Sequence, residues 1–184
     1  MRIIAGRFRS RCLRTLAGRH VRPIPDRLRE TLFDILQAQV PGSVFVDAYA
    51  GSGSVGLEGL SRGAAKVFLI ENHRAALAVI RENLKSLGIT DDAEILAEDT
   101  CRGFNSLVRR CIQADICFLG PPYTVPREYD RALGLLGKIE LVRFGGLVVA
   151  QHAPRQELKE GYGRLRRTRV VVQGTNALCF YEHA

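Results

Sequence analysis

The 184-residue sequence has no tryptophan, a single methionine and only 7% aromatic residues. Its core must therefore be built mainly from aliphatic side chains. No apolar run reaches the roughly 20 residues that a membrane helix requires, so no spanning segment is expected. The five cysteines (Cys12, Cys101, Cys111, Cys117, Cys179) include no CxxC pair, and no His cluster has metal-ligand spacing. That pattern excludes zinc ribbons and thioredoxin-like redox chemistry, and no metal is expected. The start, MRIIAGRFRSRC, is too polar for a secretory h-region, and the odd cysteine count points to reduced thiols in a cytoplasmic protein. His20, His73, His152 and His183 are scattered, and none neighbours a Ser or Cys in a triad-like context.

Acidic residues are also scarce where basic ones crowd. The chain carries 27 Lys plus Arg against 19 Asp plus Glu, a net charge of +8. Residues 1–29 hold nine arginines and one acid, Asp26, so this segment alone accounts for +8. Charge polarised in this way favours a polyanionic partner, nucleic acid above all. Arg7, Arg9, Arg11 and Arg14 are the candidate RNA contacts. An Arg-rich, acid-poor start is also the mark of a transit peptide. Against that, Ile3-Ile4-Ala5-Gly6 and Cys12-Leu13 read as a short strand pair that folds. Arg155, Lys159, Arg164, Arg166, Arg167 and Arg169 form a second basic group, either a phosphate-contacting patch or a solvated face.

Hydrophobic residues at 46% and charged residues at 25% suit one globular domain of this length. We divide the chain into a basic extension, 1–25, expected to be a β-hairpin, and a main domain, 26–184. Leu28, Leu32, Phe33, Ile35 and Leu36 fall at helical spacing, with Asp26 placed to cap and Pro41-Gly42 to stop. Strands are then expected at 44–46, 66–71, 93–97, 115–119 and 145–151. Helices are expected at 54–62, 73–87, 104–111 and 128–137. Alternating β and α with buried apolar strands means a parallel sheet covered on both faces. The tail, 165–172 and 177–182 joined through Gln173-Gly174-Thr175-Asn176, reads as an antiparallel hairpin. The expected fold is α/β and Rossmann-like: a doubly wound, mostly parallel seven-stranded sheet ending in that hairpin.

A glycine-rich turn, Gly51-Ser52-Gly53-Ser54-Val55-Gly56, lies between the first strand and its helix. Glu71 follows 20 residues after Gly51, at the end of the next strand. This is the fingerprint of a loop that approaches an adenosine-containing ligand, with a carboxylate accepting from ribose hydroxyls. Nicotinamide dinucleotides and S-adenosylmethionine share that ribose. Asp47, four residues before Gly51, separates them. A carboxylate at the first strand's end can orient the ammonium of a methionine moiety, but repels a pyrophosphate. Asp99 is placed either to accept from an adenine amine or to cap the following helix. A dehydrogenase of this length would also have little room for a substrate domain.

The fourth strand ends Gly120-Pro121-Pro122-Tyr123, a rigid turn that cannot continue the ladder. Together with Asp47-Ala-Tyr-Ala50-Gly51-Ser-Gly53, it resembles the Rossmann-like S-adenosylmethionine-dependent amino-methyltransferases. In order, MRIIAGRFRSRCL, RPIPDRLRETLFDIL, DAYAGSGSVGLEGLSRGAA and the FLGPPY turn resemble the bacterial small-subunit (16S) ribosomal RNA guanine-N2 methyltransferase family. The resemblance covers nearly the whole chain and is most distinctive from Arg22 to Ala65. It implies S-adenosylmethionine as cofactor, held by Asp47, Ala50, Gly51, Gly53, Glu71 and Asp99, with Arg22 and Thr31 as further neighbours. It implies ribosomal RNA, or the small subunit itself, as partner, and a monomer. Pro121, Pro122 and Tyr123 would receive a flipped guanine.

The family has Asp where this chain has Gly120, and more usually Glu where it has Gln151. The resemblance implies that the Asp and the Pro121 carbonyl accept hydrogen bonds from the exocyclic amine while Tyr123 stacks on the base. Gly120 keeps the carbonyl and loses the acceptor, so Gly120→Asp is expected to raise kcat by roughly tenfold or more. Three other readings share features with this one. They are a DNA adenine-N6 methyltransferase, a non-catalytic RNA-binding assembly factor that has lost the Asp, and a nucleotide-dependent oxidoreductase. The first lacks a target-recognition domain here, and Asp47 and Pro-Pro-Tyr oppose the last.

Overall fold

The computed structural model describes residues 1–16 and 24–184. Among them, eight strands and five helices follow one another in chain order. After α1 (Asp26–Ile35) come β1 (Val44–Ala48), α2 (Ser54–Ser61), β2 (Lys66–Ile70) and α3 (Arg74–Leu87). Then follow β3 (Ala93–Leu96), α4 (Thr100–Arg109), β4 (Ala114–Leu119), α5 (Arg127–Leu136) and β5 (Val142–His152). The chain closes with β6 (Gly161–Tyr162), β7 (Leu165–Gln173) and β8 (Asn176–His183). The sheet order is β3-β2-β1-β4-β5-β8-β7-β6. β1 to β5 run parallel, and β8, β7 and β6 are antiparallel to their neighbours.

The Rossmann-like α/β architecture is therefore as expected, with eight strands in place of seven. The added strand, β6, is two residues long and pairs only with Leu165 and Arg166. Two residues are too few for an alternating pattern to stand out. Several boundaries also differ; β5, for one, begins at Val142 and not at 145. α1 is preceded by Pro25, whose extended backbone ends the turn, and Asp26 lies in the first helical turn with its carboxylate 3.1 Å from Arg29. α4 begins at Thr100 and ends at Arg109, ahead of the expected 104–111. The hairpin turn contracts to Gly174-Thr175, because Gln173 and Asn176 pair with each other.

Strands β1, β2, β4 and β5 all carry buried apolar runs. Phe45, Val46, Ile116, Cys117, Val148 and Val149 are all sealed from solvent. Two clusters follow, one on each sheet face. One gathers Phe104, Leu107, Tyr129 and Leu133 from α4 and α5; the other gathers Leu28, Leu32, Phe33 and Leu60 from α1 and α2. Burying such runs on both faces is what a parallel sheet requires.

Residues 1–13 fold back on themselves. Arg2 and Cys12 form an antiparallel bridge, flanked by bonds from Ile3 N to Arg11 O (3.0 Å) and from Leu13 N to Met1 O (2.8 Å). Ile3 and Leu13 sink into a small cluster with Leu57 and Leu87. Gly6, at φ +81°, lies so close to the Ser61 carbonyl that a Cβ would sit 1.8 Å from its oxygen, so no side chain fits. Beneath this loop is a fully buried carboxylate, Glu58. It accepts from Ile4 N (2.8 Å), Ala5 N (3.1 Å) and Arg62 Nε (2.8 Å), and the buried Arg29 Nε stands 3.6 Å away. Burial lowers the Arg29 pKa, while Glu58 and Asp26 oppose that shift.

Removing one partner of a buried ion pair typically costs about 3–5 kcal/mol, because the other charge is left uncompensated. Glu58→Ala should therefore lower unfolding stability by about that much in urea titration. A loss under about 1 kcal/mol would contradict the pairing.

Candidate functional site

The parallel strand order reverses between β1 and β4, where the chain leaves their carboxyl ends in opposite directions. Such a switch point opens a crevice, the usual place for a ligand in a doubly wound sheet. Here the crevice is lined by Asp47, Tyr49, Ala50, Gly51, Ser52, Ser54 and Val55 from the first turn, and by Phe118, Gly120 and Gln151. Thr15, Leu16 and Ile24 close it from the amino-terminal side.

The glycine turn is built for close approach. Gly51 and Gly53 both have positive φ, at +58° and +77°, and Gly53 opens α2. A Cβ on Gly56 would lie 2.5 Å from the Leu69 side chain and 3.2 Å from the Asp47 Cβ, so α2 packs directly on the sheet only because position 56 is bare. Asp47 Oδ2 accepts from Gly56 N at 2.7 Å, tying the end of β1 to α2. Glu71 Oε2 accepts from Gly51 N (2.8 Å), and its Oε1 accepts from Asn72 N and His73 N. Asp47 and Glu71 thus grip the two ends of one loop.

Asp47 is 1% exposed. Burial pushes its carboxyl up to about 7, against the opposing bond from Gly56 N, and the nearby Glu71 charge pushes the same way. Asp47 is thus a carboxyl lining the crevice whose charged form lacks the solvation it would have in water.

Behind Gln151, which lines the crevice opposite the glycine turn, lies a second polar group. Tyr123 donates its hydroxyl proton to Asn176 Oδ1 (2.8 Å) and accepts from Gln151 Nε2 (2.9 Å). The Gln151 backbone carbonyl in turn accepts from the Tyr129 hydroxyl (3.0 Å). The tyrosine of the Pro-Pro-Tyr turn is thereby fixed at its hydroxyl end.

The structure brings Asp47, Ala50, Gly51 and Gly120 into one crevice wall and sets Gly53 and Glu71 on the loop above it. It does not bring Pro121, Pro122, Tyr123, Asp99 or Thr31 among the lining residues, although Tyr123 reaches the crevice through its bond from Gln151. Asp99 is the N-cap of α4, accepting from Cys101 N (3.1 Å), and its carboxylate pairs with Arg131, which holds it below the usual carboxylate range. Thr31 donates to Arg27 O (3.0 Å) on α1 and lies 3.4 Å from Gln173. Arg22 lies outside the described residues. Of the amino-terminal arginines, Arg7 pairs with Asp92 (2.6 Å), Arg14 with Glu82 (2.8 Å), and Arg11 bonds to Ser86 O (2.5 Å). Arg29, part of the same basic run, is buried against Glu58 and is out of reach of a partner. Asn176, Tyr49 and Thr15 carry no motif and went unseen in the sequence. Tyr49 is a non-glycine residue at φ +62°, with its hydroxyl 2.8 Å from Glu128, a strained placement of the kind that clusters at binding sites.

The model of the family described as "Conserved hypothetical protein 95" matches residues 1–182. The chain belongs to this family. It is 30% identical to "Putative rRNA methyltransferase YlbH" of Bacillus subtilis, over 99% of this chain and 98% of that protein. It is 35% identical to "Ribosomal RNA small subunit methyltransferase D" of Haemophilus influenzae, over 67% of this chain and 64% of that one. Among solved structures, "Putative methyltransferase yhhF" of Escherichia coli superposes with a TM-score of 0.84 at 28% identity, covering 100% and 97% of the two chains. A Streptococcus mutans protein described as "A putative sam-dependent methyltransferase" shares the fold alone, with a TM-score of 0.68 at 12% identity over 85% and 48%. The fold of this chain is that of the S-adenosylmethionine-dependent methyltransferases. Among the described residues no helix is long and apolar enough to cross a membrane, and no group of His, Cys, Asp or Glu could hold a metal ion.

Asp47 gives this crevice a measurable signature. Its folded pKa lies above its unfolded value of 3.8, so the folded protein binds the extra proton between about pH 4 and 7. Stability from this group is therefore greatest at low pH and is lost as pH rises through that window. The melting temperature of Asp47→Asn should gain on that of the wild type between pH 5 and pH 8. A difference independent of pH would remove the buried acid from this account.

Proposed function

We propose that the protein transfers a methyl group from S-adenosylmethionine to the exocyclic N2 amine of a guanine in small-subunit ribosomal RNA, as a cytoplasmic monomer. The carrying observation is a single crevice shared by the buried Asp47, the glycine turn, Gly120 at the head of the Pro-Pro-Tyr turn, and Gln151, whose amide donates to the Tyr123 hydroxyl. The names of the relatives point the same way.

The donor set suits the cofactor. An ammonium beside Asp47 would supply the counter-charge that burial denies it, whereas a pyrophosphate would add like charge. The bare Gly51 and Gly53, both at positive φ, let a ligand approach the loop backbone closely, and Glu71 keeps lone-pair capacity for ribose hydroxyls beyond its backbone bonds. Asp99, Arg22 and Thr31 remain family-implied neighbours, and the reading rests less on them. S-adenosylmethionine supplies a methyl group on a positively charged sulfur. The chain's own work is positional: Pro121 offers its carbonyl, and Tyr123, anchored by Asn176, offers a ring on which a flipped base can stack.

RNA contact is assigned to the 1–25 extension through Arg7, Arg9, Arg11 and Arg14. Their existing partners are exposed surface groups, and such pairs are worth about 0–1 kcal/mol, so a phosphate can displace them at small cost. Gly120 favours one competing reading, an assembly factor that binds cofactor and RNA without turnover.

Two measurements test the proposal. Calorimetry with S-adenosylmethionine and NAD side by side should detect the former, more tightly at pH 8 than at pH 6 as Asp47 loses its proton. Glu71→Ala should weaken it by about 1.5–3 kcal/mol. Methyl incorporation into ribosomal RNA should appear as N2-methylguanosine by mass spectrometry, and N6-methyladenine or binding of NAD alone would overturn the assignment.

For RNA, about four to six phosphate contacts predict a slope of log K against log salt of roughly −3 to −5. Deleting the extension would orphan Glu58, so charge removal is the cleaner test. Changing Arg7, Arg9, Arg11 and Arg14 together to Gln should flatten the slope by about 3. An unchanged slope would move the RNA surface elsewhere.

A further inference from the structure

β4 and β5 run side by side with Leu119 opposite Ala150, so the next positions, Gly120 and Gln151, stand as neighbours at the carboxyl ends of the two strands. Registered positions on adjacent parallel strands project their side chains to the same face. A Cβ built on Gly120 points toward Phe118, 3.2 Å from its ring edge, and Phe118 is itself opposite Val149. The side chain of Gln151 therefore rises on the face where a side chain at 120 would stand, and both positions line the crevice.

The amide of Gln151 is held in one orientation. Its Nε2 is committed to the Tyr123 hydroxyl at 2.9 Å, with Asn176 Oδ1 at 3.4 Å. The Tyr123 proton goes to Asn176, so its lone pair requires a donor from Gln151. The carbonyl end, Oε1, receives no bond from any described residue and is absent from the sealed, unbonded atoms. A fixed acceptor thus stands beside the bare Gly120 with its valence open to the crevice.

We propose that Gln151 Oε1 supplies the side-chain acceptor for the target's exocyclic amine that position 120 does not. The inference rests on the amine-methylation reading above. One amine N–H goes to the Pro121 carbonyl and the other to Gln151, aiming the nitrogen lone pair along the line of attack. In the transfer, a nitrogen–carbon bond forms to the methyl group as the carbon–sulfur bond breaks. That bond's electron pair stays on sulfur, and the surplus proton leaves nitrogen for water. A neutral amide positions the amine without taking its proton, so the pH dependence of kcat contains no ionisation from this acceptor.

The placement alters what Gly120→Asp should do. With Gln151 in place, the new carboxylate enters a role already filled, and the two substitutions become non-additive. Gln151→Ala should lower kcat by at least tenfold with S-adenosylmethionine affinity unchanged. Gly120→Asp should raise kcat less than threefold in the wild type, but at least tenfold in the Gln151→Ala background. A binding readout is independent of turnover. With S-adenosylhomocysteine bound, wild-type protein should prefer RNA carrying guanosine at the methylated position over inosine, which lacks the amine, and Gln151→Ala should abolish the preference. Additive effects, or a preference that survives Gln151→Ala, overturn the role of Gln151 while leaving methyl transfer standing. An inactive wild type rescued by Gly120→Asp does the same. No turnover in any variant overturns both readings.

Discussion

A carboxylate can lie in the core of this protein only because every strong donor near it is turned inward. Glu58 takes two backbone N–H groups from residues 4 and 5 and the Nε of Arg62, and Arg29 completes the charge balance from α1. Three segments distant in sequence therefore converge on one side chain of α2. The burial is costly in itself, so the arrangement holds only while all partners remain. Because α2 starts at the glycine turn, the placement of the crevice's loop depends on this ion pair on the helix's far side.

From that helix the constraint passes to the sheet. Gly56 lets α2 settle on β1 and β2, and its amide holds Asp47 at the strand's end. Two carboxylates then serve one loop under different conditions. Asp47 is sealed and resists ionisation, whereas Glu71 is partly open and satisfied by backbone donors. Across the crevice the polar groups are neutral: Tyr123, Gln151 and Asn176 share their hydrogen bonds with one another. The first turn thus holds two acids in unlike surroundings, while the group around Gln151 carries no charge.

Most of the scaffold was legible because each core strand is a short, mainly apolar run and each helix repeats at its own period. The glycine turn and its two acids could be read for the same reason: their spacing is local. Asp99 illustrates the limit. Its position at a strand's end permits both a ligand contact and a helix cap, and only the Cys101 amide and Arg131, brought near by folding, select the cap. Asn176 had no signal at all, since its link to Tyr123 spans 53 residues of sequence. Arg29 misled in the opposite direction. Counted as surface charge, it is buried, because its partner Glu58 lies on another helix. The two-residue β6 was invisible, and the hairpin turn was read as longer than it is.

The short β6 carries a cost at the margin of the sheet. It pairs only with Leu165 and Arg166, and Arg167 N is taken by Glu160 O, so β7 has no strand partner on its outer side from Thr168 onward. An open row of amides and carbonyls is a template for strand addition and aggregation. Here the register breaks between Arg167 and Arg169, so the strand bends where a second chain would need it flat. Arg166, Arg167 and Arg169 crowd the same stretch, and two copies meeting edge to edge would have to bring those charges together. Only Val170 and Val172, exposed beyond the bend, remain as apolar contact. The sheet thus ends in a strand shaped to refuse a ninth.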